Sequence, residues 1–347
     1  MYTSNPNPVN KTMTLYTLLG LTGAVGLALF SAPVAAQTVD VYGRLVLSVN
    51  RVQTGNNSNN ELRDNASRLG FRGVEDLGGG LKALFGLEMG ISADSGNPTT
   101  PAFRNSYVAL RGDWGTVALG RLDSANPTGS PIYSQWVTLT SFAPNDAGAT
   151  ATSNVMFNAR NRTSNSIGYA SPDFAGFSMK ARTYLRGADT AADPEDSSRS
   201  VDLGLNYEAG SLKAGLGMSR DARRGGLKSN EFEDKLQAGF NYNFGQMDVY
   251  LVGGVDRYNN TATTRREVRY GELGGSIRLG AHKIVLNLMQ RDVQASLTAV
   301  RPRQQLSDQY FLSKRTQLQF FFDNDSIDSS KSGVRVRTFG AGIRHDF

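Results

Sequence analysis

The sequence predicts an all-β fold, a 16-stranded antiparallel transmembrane β-barrel, from three observations. Apolar and polar residues alternate with a period of two through most of the chain, which is the spacing of strands. Seven short turns alternate with eight longer polar connections, so that sixteen strands fit between them. Beyond the N-terminus, no apolar run reaches the ~20 residues of a membrane-spanning helix.

The first 36 residues have the composition of a secretory signal peptide. Lys11 lies in a polar lead, the segment LYTLLGLTGAVGLALF forms the apolar core, and Val34 and Ala36 have the spacing of a cleavage site before Gln37. A membrane anchor is the alternative, but the apolar core is short and Pro33 follows it. We therefore expect residues 1–36 to be removed on export and residues 37–347 to form one barrel domain.

Composition and residue types exclude several function classes. The net charge of +6 is dispersed along the chain, whereas a nucleic-acid-binding protein concentrates lysine and arginine on one face. The chain has no cysteine, and its two histidines, His282 and His345, are far apart in sequence and match no metal or catalytic motif. We expect neither an enzyme nor a cofactor.

The alternation is clearest in EFEDKLQAGFNYNF, residues 231–244, where Phe, Leu, Ala and Tyr share one face and charged or amide side chains share the other. A soluble β-sandwich would contain a similar strand, but its apolar face would meet a second sheet across a dry core. The same polar face recurs in strand after strand without an intervening helix, which favours a barrel in lipid. The closing segment TFGAGIRHDF ends on Phe347, as expected for an aromatic residue at the membrane boundary.

The stretch SRLGFRGVEDLGGGLKALFGLE, residues 67–88, shows what the two faces do. Its leucines and phenylalanines fall on the face expected to meet lipid, while charged residues fall on the face expected to meet water. The glycines between the two strands allow a tight turn, because a positive φ costs little without a Cβ. Alternation alone predicts four lumen-lining residues: Arg44, Arg72, Lys82 and Glu88.

Six segments resemble, in order, those of the general porins of Gram-negative bacteria, especially the betaproteobacterial type. They are SRLGFRGVEDLGGGLKALFGLE, RNSYVALRGDWGTVALGRL, IGYASPDFAGFSMKARTY, YNFGQ, LSKRTQL and GIRHDF. The resemblance implies a homotrimer in the outer membrane, in contact with membrane lipid and lipopolysaccharide. It also implies recognition of Phe347 by the barrel-assembly machinery and a water-filled channel for passive diffusion of small hydrophilic solutes and ions.

In this family the third outer loop folds into the lumen and narrows it to an eyelet, and here that loop corresponds to residues 123–160. Asp123 and Asp146 are its two acidic residues. The resemblance places four arginines on the opposite wall: Arg68, Arg104, Arg121 and Arg162. Arg104 shares the parity of Val108 and Leu110, so either a bulge intervenes or its assignment is wrong.

An eyelet rich in arginine and poor in acid predicts a preference for small anions, because cationic rings attract them. The alternative is a substrate-selective channel with a specific binding site in the constriction, using the loop aromatics Tyr133, Trp136, Phe142 and Phe157. A third class, an adhesin or structural barrel with a plugged bore, predicts no conductance.

Overall fold

The computed structural model describes residues 38–123, 162–185, 199–222, 231–259, 265–293, 300–325 and 335–347. The chain divides into two units, residues 1–35 and 36–347, and all described residues belong to the second. The predicted signal peptide and most of the predicted constriction loop lie outside the described residues. The strands, numbered β1 to β17 in chain order, are Thr38–Thr54, Asn57–Asp64, Ser67–Gly78, Leu81–Ser92, Asn97–Gly112, Gly115–Asp123, Arg162–Ala170, Phe177–Tyr184, Arg199–Ala209, Leu212–Ala222, Glu231–Asn243, Met247–Asn259, Arg265–Leu279, His282–Val293, Val300–Phe311, Thr316–Asp325 and Val336–Asp346.

These strands form one closed antiparallel sheet with sixteen positions, which confirms the predicted barrel. From β3 onward each strand pairs with the next along the chain, and β1 pairs with β17 to close the sheet. Strands β2 and β3 both pair with β1, one after the other, and together fill a single position. Within the described residues, no helix has the length and apolar character needed to cross a membrane.

The interruption between β2 and β3 is a local break at Asn65 and Ala66. Ala66 has a φ of 67°, and its backbone N–H donates to Asp64 Oδ2 at 2.9 Å. Beyond the break, the side chain of Ser67 accepts a hydrogen bond from the backbone N–H of Val46 at 2.9 Å. Side-chain acceptors therefore replace ladder bonds at the break, and the two segments continue as one wall of the barrel.

Turn chemistry agrees with the predicted short connections. Gly78, Gly79 and Gly80 join β3 to β4, all with positive φ. Two connections that the sequence predicts as longer polar segments are also tight. Residues 51–61 form a hairpin in which Thr54 pairs with Asn57, and the segment predicted at 93–101 contains the start of β5 at Asn97. The side chains of these strand ends are polar, so their composition predicts loops although they belong to strands.

The two faces of the sheet differ in the way the alternation predicts. Outward-facing apolar side chains are highly exposed, for example Val41 at 59%, Val108 at 55% and Phe339 at 55%. Large exposed apolar areas of this kind fit a protein surrounded by lipid. The inward face holds charged and amide side chains from most strands.

The β1–β17 seam depends on one close approach. The backbones of Gly43 and Phe347 exchange two N–H···O hydrogen bonds, each 3.0 Å long. A Cβ on Gly43 would lie 2.4 Å from the Cζ atom of Phe347, so a side chain here would displace the ring. Glycine at this position lets the aromatic residue lie against the first strand.

Candidate pore lining

Glu88 lies at the centre of a cationic cluster on the inner wall. Its Oε1 atom accepts a hydrogen bond from Arg68 Nη1 at 3.2 Å and another from Arg104 Nε at 2.7 Å. Its other oxygen accepts from the hydroxyl of Tyr42 at 3.2 Å. We name this group, together with Arg44, the Glu88 cluster. One carboxylate is therefore shared by two guanidinium groups, and it neutralises only one of them.

A β-bulge brings Arg104 into this cluster. The pairing of β4 with β5 passes from Glu88↔Asn105 to Met89↔Phe103, so Arg104 is the extra residue. A bulged residue lies outside the period-two alternation, and a bulge commonly redirects a side chain. Of the two outcomes that the sequence left open for Arg104, the structure has the bulge.

Arg44 extends the positive charge of the cluster along β1. Its Nε atom donates to the backbone carbonyl of Ala66 at 3.2 Å, at the break between β2 and β3. Arg68, Arg344 and Arg104 lie close enough to repel its charge, while Asp346, which is paired with Arg344, attracts it. The Glu88 cluster therefore contains three guanidinium groups and one carboxylate, and its net charge is positive.

The other two predicted lining residues lie toward the end of the barrel that carries the short turns. Arg72 Nε lies 3.4 Å from Asp40 Oδ2, and its guanidinium is 5.1 Å from the centre of the Tyr42 ring. Both members of this ion pair are largely exposed. Lys82 is also exposed and pairs in register with Asp76 and Arg111. The structure thus places both residues outside the contacts that hold Glu88.

The remaining predicted eyelet residues flank the connection between β6 and β7. Arg121 Nη1 donates to Ser164 Oγ at 2.8 Å, and the β6–β7 register shifts between Gly120 and Leu122, which places Arg121 at a bulge. Arg162 begins β7 and pairs in register with Asp123. Asp146 lies outside the described residues, together with residues 124–161.

An apolar patch interrupts the polar inner wall beside these residues. It consists of Leu84, Tyr107, Ala109, Ala118 and Leu122. Their neighbours Val108 and Leu119 are 55% and 50% exposed on the opposite face, so the patch faces inward. The sequence analysis did not identify this patch. Leu84 and Ala109 are separated by an even number of positions from charged residues on their own strands, so the alternation does place them on the inward face.

Strands β8 to β16 carry a second type of charged wall that the sequence analysis missed. Here three buried cations each contact a carboxylate on the neighbouring strand, and one of them, Arg303, also lies 3.6 Å from a second carboxylate, that of Asp325. Arg182 Nε donates to Asp202 Oδ2 at 2.9 Å, Lys235 Nζ lies 3.1 Å from Asp256 Oδ1, and Arg303 Nε donates to Asp323 Oδ1 at 2.9 Å. We call these the balanced pairs. The first two pairs are register partners on adjacent strands. The sequence could have indicated them, because the two residues of each pair carry opposite charges and lie at matching distances from the turn that joins their strands.

Between the balanced pairs the inner wall carries Glu272 and Arg291, both buried, together with a row of amides. Tyr250 donates its hydroxyl hydrogen to Asn287 Oδ1, and Asn287 Nδ2 donates to Gln305 Oε1 at 3.2 Å. Phe321 also faces inward, with its ring against Gly340. Within the described residues, no three His, Asp or Glu side chains are grouped closely enough to hold a metal ion.

Comparisons with known proteins identify relatives of this chain. The sequence profile of a family described as Gram-negative porin matches residues 23–330. The chain is 29% identical over 275 residues to the major outer membrane protein P.IB of Neisseria gonorrhoeae, which covers 73% of each chain. It is 36% identical over 188 residues to outer membrane porin protein 32 of Delftia acidovorans, which covers 52% of this chain and 51% of that protein. Among solved structures, the anion-selective porin from Comamonas acidovorans has a TM-score of 0.71 and 25% identity, and the match covers 90% of this chain and 100% of that one.

Proposed function

Because this chain belongs to the Gram-negative porin family, whose members are outer-membrane channel proteins and not enzymes, we propose that it forms a water-filled channel. The channel would let small hydrophilic solutes and ions diffuse passively across the outer membrane. The closed barrel with a polar inner face and an apolar outer face supports this proposal. Such a channel needs no catalytic group and no cofactor, because width and charge alone sort the solutes.

The channel would prefer small anions, and the Glu88 cluster carries this proposal. Three guanidinium groups and one carboxylate leave an excess of about two positive charges on one wall. Two charges 4 Å apart interact by ~1 kcal/mol in water and by ~4 kcal/mol near a protein surface, so the excess is large enough to bias permeation. The likeness to an anion-selective porin supports the same direction.

The constriction would be completed by residues 123–160 folding into the bore. The inward-facing apolar patch around Leu122 supports this, because an apolar surface in a water-filled channel is stabilised when another part of the chain covers it. Arg121 and Arg162 flank the two ends of this connection and would belong to the eyelet, with Asp123 and Asp146 as its acidic side. Arg68 and Arg104 would form the facing wall.

The channel would assemble as a homotrimer surrounded by membrane lipid and lipopolysaccharide. Membership of the porin family supports the trimer, and the exposed apolar outer face supports contact with lipid or a second subunit. Phe347 would be the residue that the barrel-assembly machinery recognises. Its contact with Gly43 across the closing seam indicates why recognition at this point would promote closure.

The zero-current potential in a planar bilayer under a KCl gradient tests the anion preference. We expect the sign that corresponds to chloride passing more readily than potassium. A potassium preference would mean that inward-facing carboxylates outweigh the Glu88 cluster, which would contradict the proposed selectivity while leaving the channel itself unaffected. Absence of any conductance would contradict the channel and favour a plugged structural barrel.

A substrate-selective channel is the second candidate, and the amide-rich inner wall favours it. Tyr250, Asn287 and Gln305 form a connected hydrogen-bonding row, and Phe321 adds an apolar ring beside it. Amides and aromatic rings together suit polyhydroxylated solutes. Current block that saturates with one sugar and not with its isomers would establish such a site. Block that rises linearly with concentration for all sugars would contradict it.

A further inference from the structure

An ion pair between β14 and β15 lies on the outer face of the barrel, where apolar side chains are expected. His282 Nδ1 lies 2.9 Å from Asp308 Oδ2 and 3.1 Å from Asp308 Oδ1. Asp308 pairs in register with Phe320, and its neighbour two residues earlier is Leu306. Phe320 and Leu306 are 54% and 48% exposed on the outer face, so Asp308 shares that face.

A carboxylate at this position requires a physical reason. Among the described side chains on the outer face of β14 to β17, Asp308 is the one carboxylate. It lies three residues before the end of β15 at Phe311, about 10 Å along the strand. An ionised group facing hydrocarbon is costly and usually functional. In outer-membrane barrels the short turns face the periplasm, so a side chain at this depth would reach the lipid headgroups of the inner leaflet.

An apolar groove continues from this pair across the neighbouring strands. Asp308, Phe320, Ala341 and Val49 are successive register partners on β15, β16, β17 and β1. Ala341 is the smallest of the four, so it forms the floor, with Phe339 beside it. The groove has a volume of about 720 Å³, within the size range of small-molecule sites.

We propose that this groove and the His282–Asp308 pair bind one phospholipid of the inner leaflet, with a zwitterionic headgroup that carries a primary ammonium. The ammonium donates hydrogen bonds to the Asp308 carboxylate, which has lone pairs beyond those facing His282. In its imidazolium form, His282 donates from Nδ1 to Asp308 and from Nε2 to the phosphate. An acyl chain lies along the groove over Ala341, against Phe320 and Phe339.

Charge complementarity selects this occupant. The headgroup presents a negative and a positive group next to each other, and the surface presents a carboxylate and an imidazole 2.9 Å apart. The Tyr310 ring, 4.8 Å from the His282 ring, adds the amphipathic aromatic that favours the boundary between water and lipid. A free anion would meet Asp308 at this place and be repelled, so the groove and the pair fit a lipid together.

Native mass spectrometry of the purified assembly tests the proposal. The protein is first reconstituted in vesicles with equal amounts of phosphatidylethanolamine and phosphatidylglycerol, and the lipids retained per chain are then counted. We expect preferential retention of phosphatidylethanolamine. Asp308→Asn should lower that retention about tenfold, the loss of one charge-assisted hydrogen bond. Ala341→Phe should lower it by filling the groove.

Asp248→Asn is the matched control, because Asp248 lies at the same end of the barrel but faces inward and accepts a hydrogen bond from Asn243. It should retain lipid like the unchanged protein. Equal retention of both lipids, or unchanged retention by Asp308→Asn, would overturn the proposal. Dissociation of the oligomer by Asp308→Asn with lipid retention unchanged would show a subunit contact instead and would also overturn it. Single-channel conductance of Asp308→Asn should not change, which separates this test from the channel proposal.

Discussion

The Glu88 cluster and the balanced pairs use the same residue types on the same inner face to opposite effect. In the cluster, Arg68 and Arg104 share Glu88, and Arg44 lies beside them. On β8 to β16, Arg182 and Lys235 each have their own carboxylate, and Arg303 has two, those of Asp323 and Asp325. The two walls therefore differ in the ratio of charges within hydrogen-bonding distance, and we expect this ratio, rather than the number of arginines, to set what each wall would present to a passing ion.

Removing the excess charge is the strongest way to break this comparison. The double substitution Arg68→Gln with Arg104→Gln leaves one positive group, Arg44, and one negative group, Glu88. The net charge of the cluster is then zero. We expect the chloride-to-potassium permeability ratio to fall about tenfold, since each lost charge near a protein surface is worth ~1–4 kcal/mol. The zero-current potential measures this ratio.

Arg72→Gln is the matched control for that variant, because Arg72 is an exposed arginine already paired with Asp40. Its effect should be much smaller. Removing the guanidinium partners of Glu88 destabilises the folded protein, so folding of each variant must be checked. Gel mobility before and after heating should show that each variant folds. Equal effects of Arg72→Gln and the double variant would mean that arginine count alone sets the selectivity.

Salt should weaken the distinction without any substitution. The Debye length falls from ~10 Å at 0.1 M to ~3 Å at 1 M, so the excess charge of the cluster acts over a shorter distance. We expect the anion preference of the unchanged protein to fall several-fold over this range. The balanced double variant should change little under the same conditions. A preference that does not depend on salt would point to a steric origin.

Glu88→Gln should increase the difference between the Glu88 cluster and the balanced pairs. The amide keeps the shape of the side chain and removes its negative charge, so the cluster gains one unit of positive charge. We expect the anion preference to rise about threefold, less than the double variant lowers it, because the arginines then separate and become better hydrated. Glu75→Gln, at the exposed end of β3, is the control and should have no effect. A fall in anion preference would contradict the assignment of the cluster.

Neutralising a balanced pair should have the smallest effect. Arg182→Gln with Asp202→Asn removes one charge of each sign and keeps side chains of similar size. We expect the permeability ratio to change by less than about twofold, because the net charge of the wall is the same. The single Asp202→Asn should cost stability, because it removes the carboxylate beside a buried guanidinium. The same bilayer measurement, with thermal unfolding followed in parallel, checks both parts. A large shift in selectivity for the double variant would show that balanced pairs also steer ions.

The sequence allowed prediction of the barrel and its faces because these depend on the period-two alternation and on the turn residues. Residues 231–244 and the turn at Gly78 to Gly80 are examples, and both agree with the structure. The prediction of a longer polar connection at residues 51–61 was wrong, because these residues form a hairpin. Its strands extend beyond the apolar band, where side chains are polar and hydrophobicity no longer alternates.

The sequence identified which residues belong to the candidate site more readily than it identified the contacts between them. The bulge at Arg104 changes the face of one residue without changing the sequence pattern around it. The sharing of Glu88 by two arginines depends on the β3–β4 register, which a second bulge between Asp76 and Gly78 adjusts. Registers across three strands follow from turn geometry, and a single sequence does not contain that information. All the site assignments stay predictions: the eyelet residues Arg68, Arg104, Arg121, Arg162, Asp123 and Asp146, and the lumen-lining residues Arg44, Arg72, Lys82 and Glu88.

The seam between β1 and β17 also has a consequence for the order of folding. Among the described strands, every other pairing joins neighbouring segments of the chain, whereas this pairing joins Arg44 to Asp346 and Thr54 to Val336. Loop-closure entropy makes such a distant pairing the slowest to form. Until it forms, the sheet has two free edges, and each is a template for pairing with another chain. The time between completing the hairpins and joining the seam is therefore the period in which this protein is most prone to aggregate.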